Sequence, residues 1–390
     1  MSRPGREDRA VPVTSHERVL AACAFQRPDR IPRYDQFWQY PESWRAELGP
    51  EGDLTDVAIW VPNEGTFPTR ARTLREENGW LYEIDMWGRT IRRKQNVYFC
   101  ETLDTPLREG VDIDSVQFDP TTLEDRYLQD LPSGEALDAS LIEAKRRYCV
   151  FGKTGGPYLR TTYVRGETQF LLDIVQDPML AKALADKMAD HLVGLGLYQL
   201  RRWSLYETGI WIFDDMAYNT SPMFSPESFE RIFLPAYRRM IAAYKQAGAR
   251  YVFLHSDGNV WPLLDMLIDA GIDGLNPLER RAGMHPALLR ARYPRLILAG
   301  GMCNSDTLIN GPRAKVEAEA RELIDIGRNG GVIIGTHSLS PEVRLEYFAA
   351  YDQVCKTYGD FAGRGFRMHS KRAAPWQARR PNRATRGSDD

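Results

Sequence analysis

Nine consecutive residues, YVFLHSDGN at positions 251–259, carry the clearest sign of chemistry in the sequence. The β-branched and aromatic start predicts a strand, with His255 at its end and Asp257 two positions later. Side chains at i and i+2 of an extended segment point to the same side. One imidazole and one carboxylate therefore share a surface, where they could hold a divalent metal, or where Asp257 could set the tautomer of His255. The alternative is that both residues only cap the following helix.

Two further residues could complete a metal site. His337 follows the apolar run 332–336, and Cys303 lies just beyond the apolar run 296–300. If the ends of these runs converge, His255, Asp257, Cys303 and His337 offer the nitrogen, oxygen and sulfur ligands that zinc accepts. The four residues have no fixed-spacing motif, so this hypothesis depends on the fold that positions them.

Two adjacent carboxylates, Asp214 and Asp215, end the apolar run 209–213. Neighbouring residues of a strand face opposite sides, so we expect only one of the two to reach a shared site. Either aspartate could act as a general acid or base, with a pKa raised by burial, or could hold a cationic or N–H-rich substrate. The alternative role is a hydrogen bond to loop amides.

The elements that must position these residues alternate regularly from about residue 148 to 358. Short runs that are almost continuously apolar are typical of parallel strands buried on both faces. Helical segments lie between them, and Asp177 before Pro178 and Ser225 before Pro226 predict two helix starts. A series of βα units forms either an open doubly wound sheet or a (βα)8 barrel.

Two observations favour the barrel. Polar residues follow nearly every apolar run, and barrel enzymes place their chemistry at the carboxyl ends of the strands. In addition, no GxGxxG motif follows a strand, so the usual nucleotide fingerprint of a doubly wound sheet is absent from the sequence. We therefore predict an α/β fold, a (βα)8 TIM barrel.

The predicted barrel occupies residues 14–360, with its first strand at 31–37. Alternating stretches separated by Gly79 and Gly88 predict an inserted hairpin at about 76–101. Residues 1–13 and 361–390 are rich in charge, Pro, Ser and Gly and have little to bury, so we expect a flexible N-terminal tail and a basic, disordered C-terminal tail.

The composition excludes several classes of function. Of 390 residues, 51 Lys and Arg nearly balance 53 Asp and Glu, which argues against a broad nucleic-acid-binding surface. No apolar run approaches the ~20 residues of a membrane span, and the polar start predicts no secretory signal. Five scattered cysteines without a CxxC motif favour a reduced, cytoplasmic protein.

Short motifs in a recognisable order run from about residue 16 to 358. They are ERVLAA at 17–22, RPDRIP at 27–32, IDMWGR at 84–89, GPY at 156–158, FDD at 213–215, SPESF at 225–229, LHSDGN at 254–259 and GGVIIGTH at 330–337. Together they resemble the uroporphyrinogen decarboxylase superfamily, whose members include corrinoid-dependent methyltransferases. The resemblance implies a (βα)8 barrel with its site at the C-terminal mouth.

The resemblance also distinguishes two branches of the superfamily. Tyr163 and His337 match a tyrosine and a histidine that line the decarboxylase pocket. The segment that grips the carboxylates of the porphyrinogen with paired arginines, similar to R-Q-A-G-R-Y, corresponds to residues 33–38, where only Arg33 remains. Because Arg–carboxylate pairs are the specific part of such recognition, their loss favours the methyltransferase branch.

Many methyltransferases of this superfamily carry His-x-Cys and a later Cys as zinc ligands. Here the pattern is His255-Ser256-Asp257, so the resemblance implies Zn²⁺ with Asp257 in the cysteine position beside His337. Members without the cysteine pair can use a pterin acceptor instead. The implied partners are a small-molecule substrate, a corrinoid protein or tetrahydrofolate, and a second copy of the chain in a homodimer.

The first functional hypothesis is a methyltransferase or demethylase that moves a one-carbon group between a small methylated substrate or folate carrier and a corrinoid protein. The alternatives are a decarboxylase that needs no cofactor, in which Arg33 anchors a carboxylate, and a non-catalytic tetrapyrrole- or corrinoid-binding protein. The predicted catalytic residues are Asp214, Asp215, His255, Asp257 and His337, and the predicted substrate-binding residues are Arg33, Asp35, Trp87, Tyr158, Tyr163, Tyr218 and Asn276.

Overall fold

Seven short strands form one parallel sheet, in which each strand pairs with the strand of the same sheet that follows it in sequence. The computed structural model describes residues 12–37, 39–94, 97, 99–128 and 130–362. The strands in chain order are β1 Val57–Trp60, β2 Arg72–Glu77, β3 Trp80–Ile84, β4 Thr90–Lys94, β5 Glu101–Asp104, β6 Cys149–Gly155, β7 Gly209–Phe213, β8 Tyr251–His255, β9 Gly274–Asn276, β10 Ile297–Gly301 and β11 Val332–Gly335. The parallel sheet has the order β1-β6-β7-β8-β9-β10-β11.

An extended segment at residues 31–37 closes this sheet into a barrel. Tyr34 N donates to the Ile334 carbonyl at 2.8 Å on one side, and Asp56 N donates to the Arg33 carbonyl at 2.8 Å on the other. Parallel bridges join Arg33 to Ile334 and Phe37 to Leu339. The segment makes isolated bridges instead of the predicted regular strand, because Arg33 N donates to the side chain of Asp56 and not to a backbone carbonyl. The predicted α/β barrel is confirmed.

Helices cover the outside of the parallel strands. The described helices are α1 Ser15–Cys23, α2 Arg45–Leu48, α3 Gly134–Arg147, α4 Pro157–Arg165, α5 Glu167–Gln176, α6 Pro178–Arg202, α7 Pro226–Ser228, α8 Leu234–Gln246, α9 Leu264–Ala270, α10 Pro286–Arg292, α11 Thr307–Asn310, α12 Arg313–Gly327 and α13 Leu345–Thr357. A π-helical turn, Phe229–Phe233, joins α7 to α8. Asp177 and Ser225 cap α6 and α7 through their side chains, as predicted.

The barrel interior is filled by large rings. Phe151, Trp211 and Phe253 come from three successive strands, and the rings of Trp211 and Phe253 stack with centroids 4.6 Å apart. Alternate residues such as Ile210 and Val252 face the helices and belong to the outer core. Both faces of the strands are therefore buried, which explains their continuously apolar sequence.

The inserted element is larger than the hairpin expected at about 76–101. Strands β2 to β5 form a four-stranded antiparallel sheet over residues 72–104. Trp87 and Gly88 lie in the turn between β3 and β4, where Gly88 has a φ of 78°. The Phe67 ring lies 2.5 Å from where a Cβ on Gly88 would be, so the turn requires glycine in both conformation and space. The predicted tails lie outside the described residues, apart from 12–13 and 361–362.

None of the helices in the described residues is long and apolar enough to cross a membrane.

A buried histidine ties the outer helix α6 to the loop after β1. The Nε2–H of His191 donates to the Glu64 carbonyl at 2.9 Å, and burial lowers the pKa of His191 to about 4. An unfolded histidine has a pKa of about 6.5, so between these two values the unfolded state binds a proton that the folded state excludes.

We therefore expect acidification from pH 6.5 to 4 to remove stability through His191, by about 3 kcal/mol at its fullest. H191Q keeps an N–H donor but does not titrate, so its unfolding free energy should fall less steeply over this range. Urea unfolding of both proteins from pH 4 to 8 measures the difference. Parallel pH profiles for the two proteins would contradict the assignment.

Candidate metal and substrate site

A hydrogen-bond chain fixes the tautomer of His255 at the end of β8. Asn276, at the end of the neighbouring β9, donates from Nδ2 to the Ala299 carbonyl at 3.1 Å. This bond turns the Asn276 Oδ1 atom toward His255 Nδ1, which lies 2.5 Å away. An oxygen acceptor requires a proton on Nδ1, so the neutral ring keeps its lone pair on Nε2. The free Nε2 then faces the barrel mouth in the form that binds a metal.

Carboxylates and a second imidazole gather around this nitrogen. Asp257 Oδ1 lies 3.7 Å from His255 Nε2 and 3.4 Å from His337 Nε2. Asp215 Oδ1 lies 3.9 Å from His255 Nε2, and Glu279 Oε1 lies 3.7 Å from His337 Nε2. Asp215, His255 and Asp257 form one group of candidate ligands, whose ligand atoms all lie within 4.8 Å of one another. Asp257, Glu279 and His337 form a second such group, and Asp257 is common to both.

The electrostatics of this cluster favour a cation. Burial, reinforced by the neighbouring Asp215 and Glu279 carboxylates, raises the pKa of Asp257 to about 7. Burial lowers the pKa of His337 to about 3 and also lowers that of His255, so both rings are neutral near pH 7. Asp257 Oδ1 is buried and has no hydrogen-bond partner among the described residues. A buried acceptor of this kind is costly unless it is paired.

Asp214 has a different position from its neighbour Asp215. It is fully buried, and its carboxylate accepts hydrogen bonds from Tyr158 N at 3.1 Å and Leu159 N at 2.6 Å, at the start of α4. Tyr237 Oη donates a third at 2.7 Å. Burial raises the pKa of Asp214 to about 6 in spite of these donors. Asp214 thus caps a helix, while Asp215 joins the cluster at the mouth, the division expected for adjacent strand-end residues.

Comparison with known proteins identifies the family. The family model described as uroporphyrinogen decarboxylase (URO-D) matches residues 102–358, well over half of the chain. The chain belongs to the uroporphyrinogen decarboxylase family. The family resemblance drawn from the sequence motifs is thereby confirmed. No protein with a curated description matches the chain in sequence.

Solved structures extend the comparison of folds. A methyltransferase from Methanosarcina mazei is similar with a TM-score of 0.58 and 16% identity, covering 89% of this chain and 99% of that one. A putative vitamin-B12-independent methionine synthase from Listeria monocytogenes has a TM-score of 0.31 and 15% identity, covering 53% of this chain and 61% of that one. The first likeness supports the barrel fold of this URO-D family member.

Arg33 and Asp35, which the resemblance proposed for substrate binding, form a buried network behind the loop that carries His337. Arg33 pairs with Asp35 at 2.8 Å and with Asp352 at 2.6 Å. Asp35 Oδ1 accepts hydrogen bonds from Thr336 N at 3.1 Å and Thr336 Oγ1 at 3.0 Å. This network therefore holds the residue next to His337, while a direct contact with substrate stays a prediction.

Of the four metal ligands proposed from the sequence, His255, Asp257 and His337 lie in the cluster at the mouth and Cys303 does not. Cys303 lines the same small cavity as Glu279 and His337, but it belongs to neither group of candidate ligands among the described residues. Glu279 takes its place, a residue that the sequence reasoning missed. Its position three residues beyond Asn276, at the carboxyl end of β9, is the feature of the sequence that could have indicated it.

The predicted aromatic residues lie in three different settings. Trp87 and Tyr163 meet edge to face, with ring centroids 5.0 Å apart. Tyr158 is buried in a separate aromatic group, with its ring 5.0 Å from Phe224. Tyr218 is 61% exposed. The structure therefore brings together two of the four rings, and a role in substrate binding stays a prediction for all of them.

The two aspartates can be separated by mutation. D214A removes the acceptor for two backbone N–H groups and the Tyr237 hydroxyl, so we expect a loss of about 2–3 kcal/mol in unfolding free energy. D215A removes a partly exposed carboxylate and should cost far less. Urea unfolding at pH 7 measures both variants. Equal stability of the two variants would contradict the capping role of Asp214.

The link from Asn276 to His255 has its own test. N276A removes the acceptor that holds His255 Nδ1, and loss of such a partner typically lowers metal affinity about 10–100-fold. Competition with a chromophoric chelator measures Zn²⁺ affinity in the variant and the wild type. N276D keeps an acceptor and should retain most of the affinity. Unchanged affinity in N276A would show that Asn276 does not position the histidine.

Proposed function

We propose that this member of the uroporphyrinogen decarboxylase family is a metal-dependent methyltransferase. In the proposed reaction a methyl group moves between a small methylated substrate, or a folate carrier, and the corrinoid of a partner protein. Two observations support the proposal: the N- and O-donor cluster at the barrel mouth, and the structural likeness to a protein described as a methyltransferase.

The observation that carries the proposal is the buried Asp257 Oδ1 atom. Within the part of the chain that the structure describes it has no hydrogen-bond partner, yet it lies within 3.7 Å of the Nε2 atoms of both His255 and His337. The Nε2 atom of neutral His255 carries a lone pair and cannot donate a hydrogen bond to this carboxylate. A cation bound beside Asp257 Oδ1 would satisfy both atoms. The donor chemistry of the cluster therefore fits a divalent metal.

The proposed ligands are His255, Asp257 and His337, with Glu279 or Asp215 as a further ligand. Asp257 belongs to both groups of candidate ligands, and each histidine belongs to one of them. Imidazole and carboxylate donors suit Zn²⁺ without a thiolate, so the aspartate at position 257 is compatible with the zinc implied by the family. A metal bound here would act as a Lewis acid on the atom that loses or accepts the methyl group.

The chain itself provides orientation and charge for this reaction. When a methyl group leaves its donor atom, that atom keeps the bonding electron pair and gains negative charge. Asn276 keeps the Nε2 lone pair of His255 directed into the site, and the Asp35–Thr336 contacts hold the loop beside His337. Asp257 must be ionised to ligate, and its raised pKa means that this ionisation costs little only at or above neutral pH.

Metal content gives the first test. Elemental analysis of purified protein should find stoichiometric metal in the wild type and a loss of it in H255A and H337A, because each removes a nitrogen donor. H285A is the matched control, since His285 is exposed and outside the cluster. Loss of metal in H285A alone, or undiminished metal in both cluster variants, would contradict the site.

Methyl transfer gives the second test. Cob(I)alamin is incubated with the enzyme and a panel of O-, N- and S-methyl compounds, and methylcobalamin is followed by its absorbance. We expect transfer in the wild type and H285A and a loss of at least about 100-fold in H255A, as is usual when a catalytic metal's ligand set is broken. Release of carbon dioxide from a candidate acid, without methyl transfer from any donor, would favour a decarboxylase instead.

A further inference from the structure

Lys153 faces the barrel interior, and the Phe213 ring lies between it and His255. Lys153 on β6 is in register with Trp211 on β7, and Phe213, two residues further on, is in register with His255 on β8. Residues two apart on a strand point the same way, so all four side chains face inward. The Phe213 and His255 rings stack at 4.3 Å, and Lys153 Nζ lies 5.0 Å from the Phe213 centroid.

Lys153 is the less firmly paired cation of a three-residue cluster. Arg160 binds Glu64 Oε2 through two nitrogens, at 2.8 and 2.7 Å. Lys153 Nζ lies 3.7 Å from the same oxygen, beyond hydrogen-bond length. Two cations share one carboxylate, so the Lys153–Glu64–Arg160 cluster has a net positive charge. Removal of Lys153 would leave the Arg160–Glu64 pair intact.

The surroundings of this ammonium favour an incoming anion. Burial lowers the pKa of Lys153, because its charged form is poorly solvated there. Glu64 and Arg160 are also buried, at 5% and 8% exposure. An anion beside Lys153 would replace the missing solvation with a charge-assisted hydrogen bond in a region of low dielectric.

Aromatic rings lie next to the Lys153–Glu64–Arg160 cluster. The Arg160 guanidinium lies 5.5 Å from the Trp87 ring and 5.3 Å from the Tyr163 ring, and these rings meet edge to face. With Phe213 beside Lys153, the cluster has aromatic rings next to its cations. This combination suits a planar, apolar molecule that ends in a carboxylate.

We propose that Lys153 anchors the carboxylate of the substrate at the barrel mouth, so that the rest of the molecule extends past Phe213 toward the His255 cluster. The sequence suggested Arg33 for this role, but Arg33 is already paired with both Asp35 and Asp352. The inference rests on the proposed function, because it assigns the substrate class of the same site.

Binding of benzoate and of benzamide, its neutral counterpart, tests the proposal by calorimetry on the purified protein. We expect the wild type to bind benzoate roughly tenfold more tightly or better, the value of one charge-assisted hydrogen bond. K153M should lose this preference while its affinity for benzamide stays the same. K153R, which keeps the charge, should retain part of the preference.

The control is K182M, which removes a lysine paired with Asp186 on the outer helix α6 and should keep the full preference. Metal content and circular dichroism establish that K153M is folded. Equal binding of the two probes by the wild type, no binding of either, or a preference that survives in K153M would overturn the proposal. Benzoate held only by a metal would give the last of these results.

This binding experiment needs no methyl donor and no cobalamin. A carboxylate preference that depends on Lys153, in a protein that transfers no methyl group, would therefore leave the anion subsite standing and remove the proposed reaction. Methyl transfer that is intact in K153M, with no carboxylate preference in the wild type, would remove the subsite and leave the reaction.

Discussion

The hydrogen bond between His255 Nδ1 and Asn276 Oδ1 is the contact on which the proposed site depends. Asn276 is held by the Ala299 carbonyl, so its oxygen faces the imidazole and the imidazole directs its free nitrogen into the mouth. The three groups of this hydrogen-bonded series, His255, Asn276 and Ala299, come from the neighbouring strands β8, β9 and β10. The register of the parallel sheet therefore determines the tautomer of the histidine.

The other polar side chains at the barrel mouth surround the free Nε2 atom of His255. Carboxylates of Asp215, Asp257 and Glu279 approach two neutral imidazoles, and none of the five groups carries a compensating positive charge at neutral pH. Structural polar groups stay apart from this cluster. Asp214 caps α4, and the Arg33–Asp35 pair supports the loop before His337. The barrel thus separates carboxylates that stabilise the fold from carboxylates that face the site.

Much of the fold could be predicted from the sequence because its signals are local. Continuous apolar runs predicted the parallel strands β6 to β11, whereas β1 at Val57–Trp60 was not predicted. Asp177 and Ser225 each cap a helix that begins with proline, as expected. The inserted sheet extends beyond the predicted hairpin because the strand β2 starts in the polar stretch Arg72–Glu77, which has no alternation of apolar residues. All six of its residues are exposed, so no buried face produces the pattern that sequence reasoning uses.

The site was predictable where a residue ends a strand and less so where a loop positions it. His255, Asp257 and His337 were found from their places after apolar runs. Glu279 was missed because Asn276 is the last residue of β9 and the chain takes three more residues to reach the cluster. Lys153 was missed because it interrupts an apolar strand and depends on a register with Trp211 that only the sheet defines. Cys303 was included for its place just beyond an apolar run and for its sulfur, but among the described residues it belongs to neither group of candidate ligands.

The most direct measurement of the central claim is the X-ray absorption spectrum of the zinc-loaded protein. A site made by His255, Asp257, His337 and a further carboxylate predicts only nitrogen and oxygen neighbours at about 2.0–2.2 Å, with the outer-shell pattern of two imidazoles. A sulfur neighbour at about 2.3 Å would place Cys303 on the metal and contradict the carboxylate site described here.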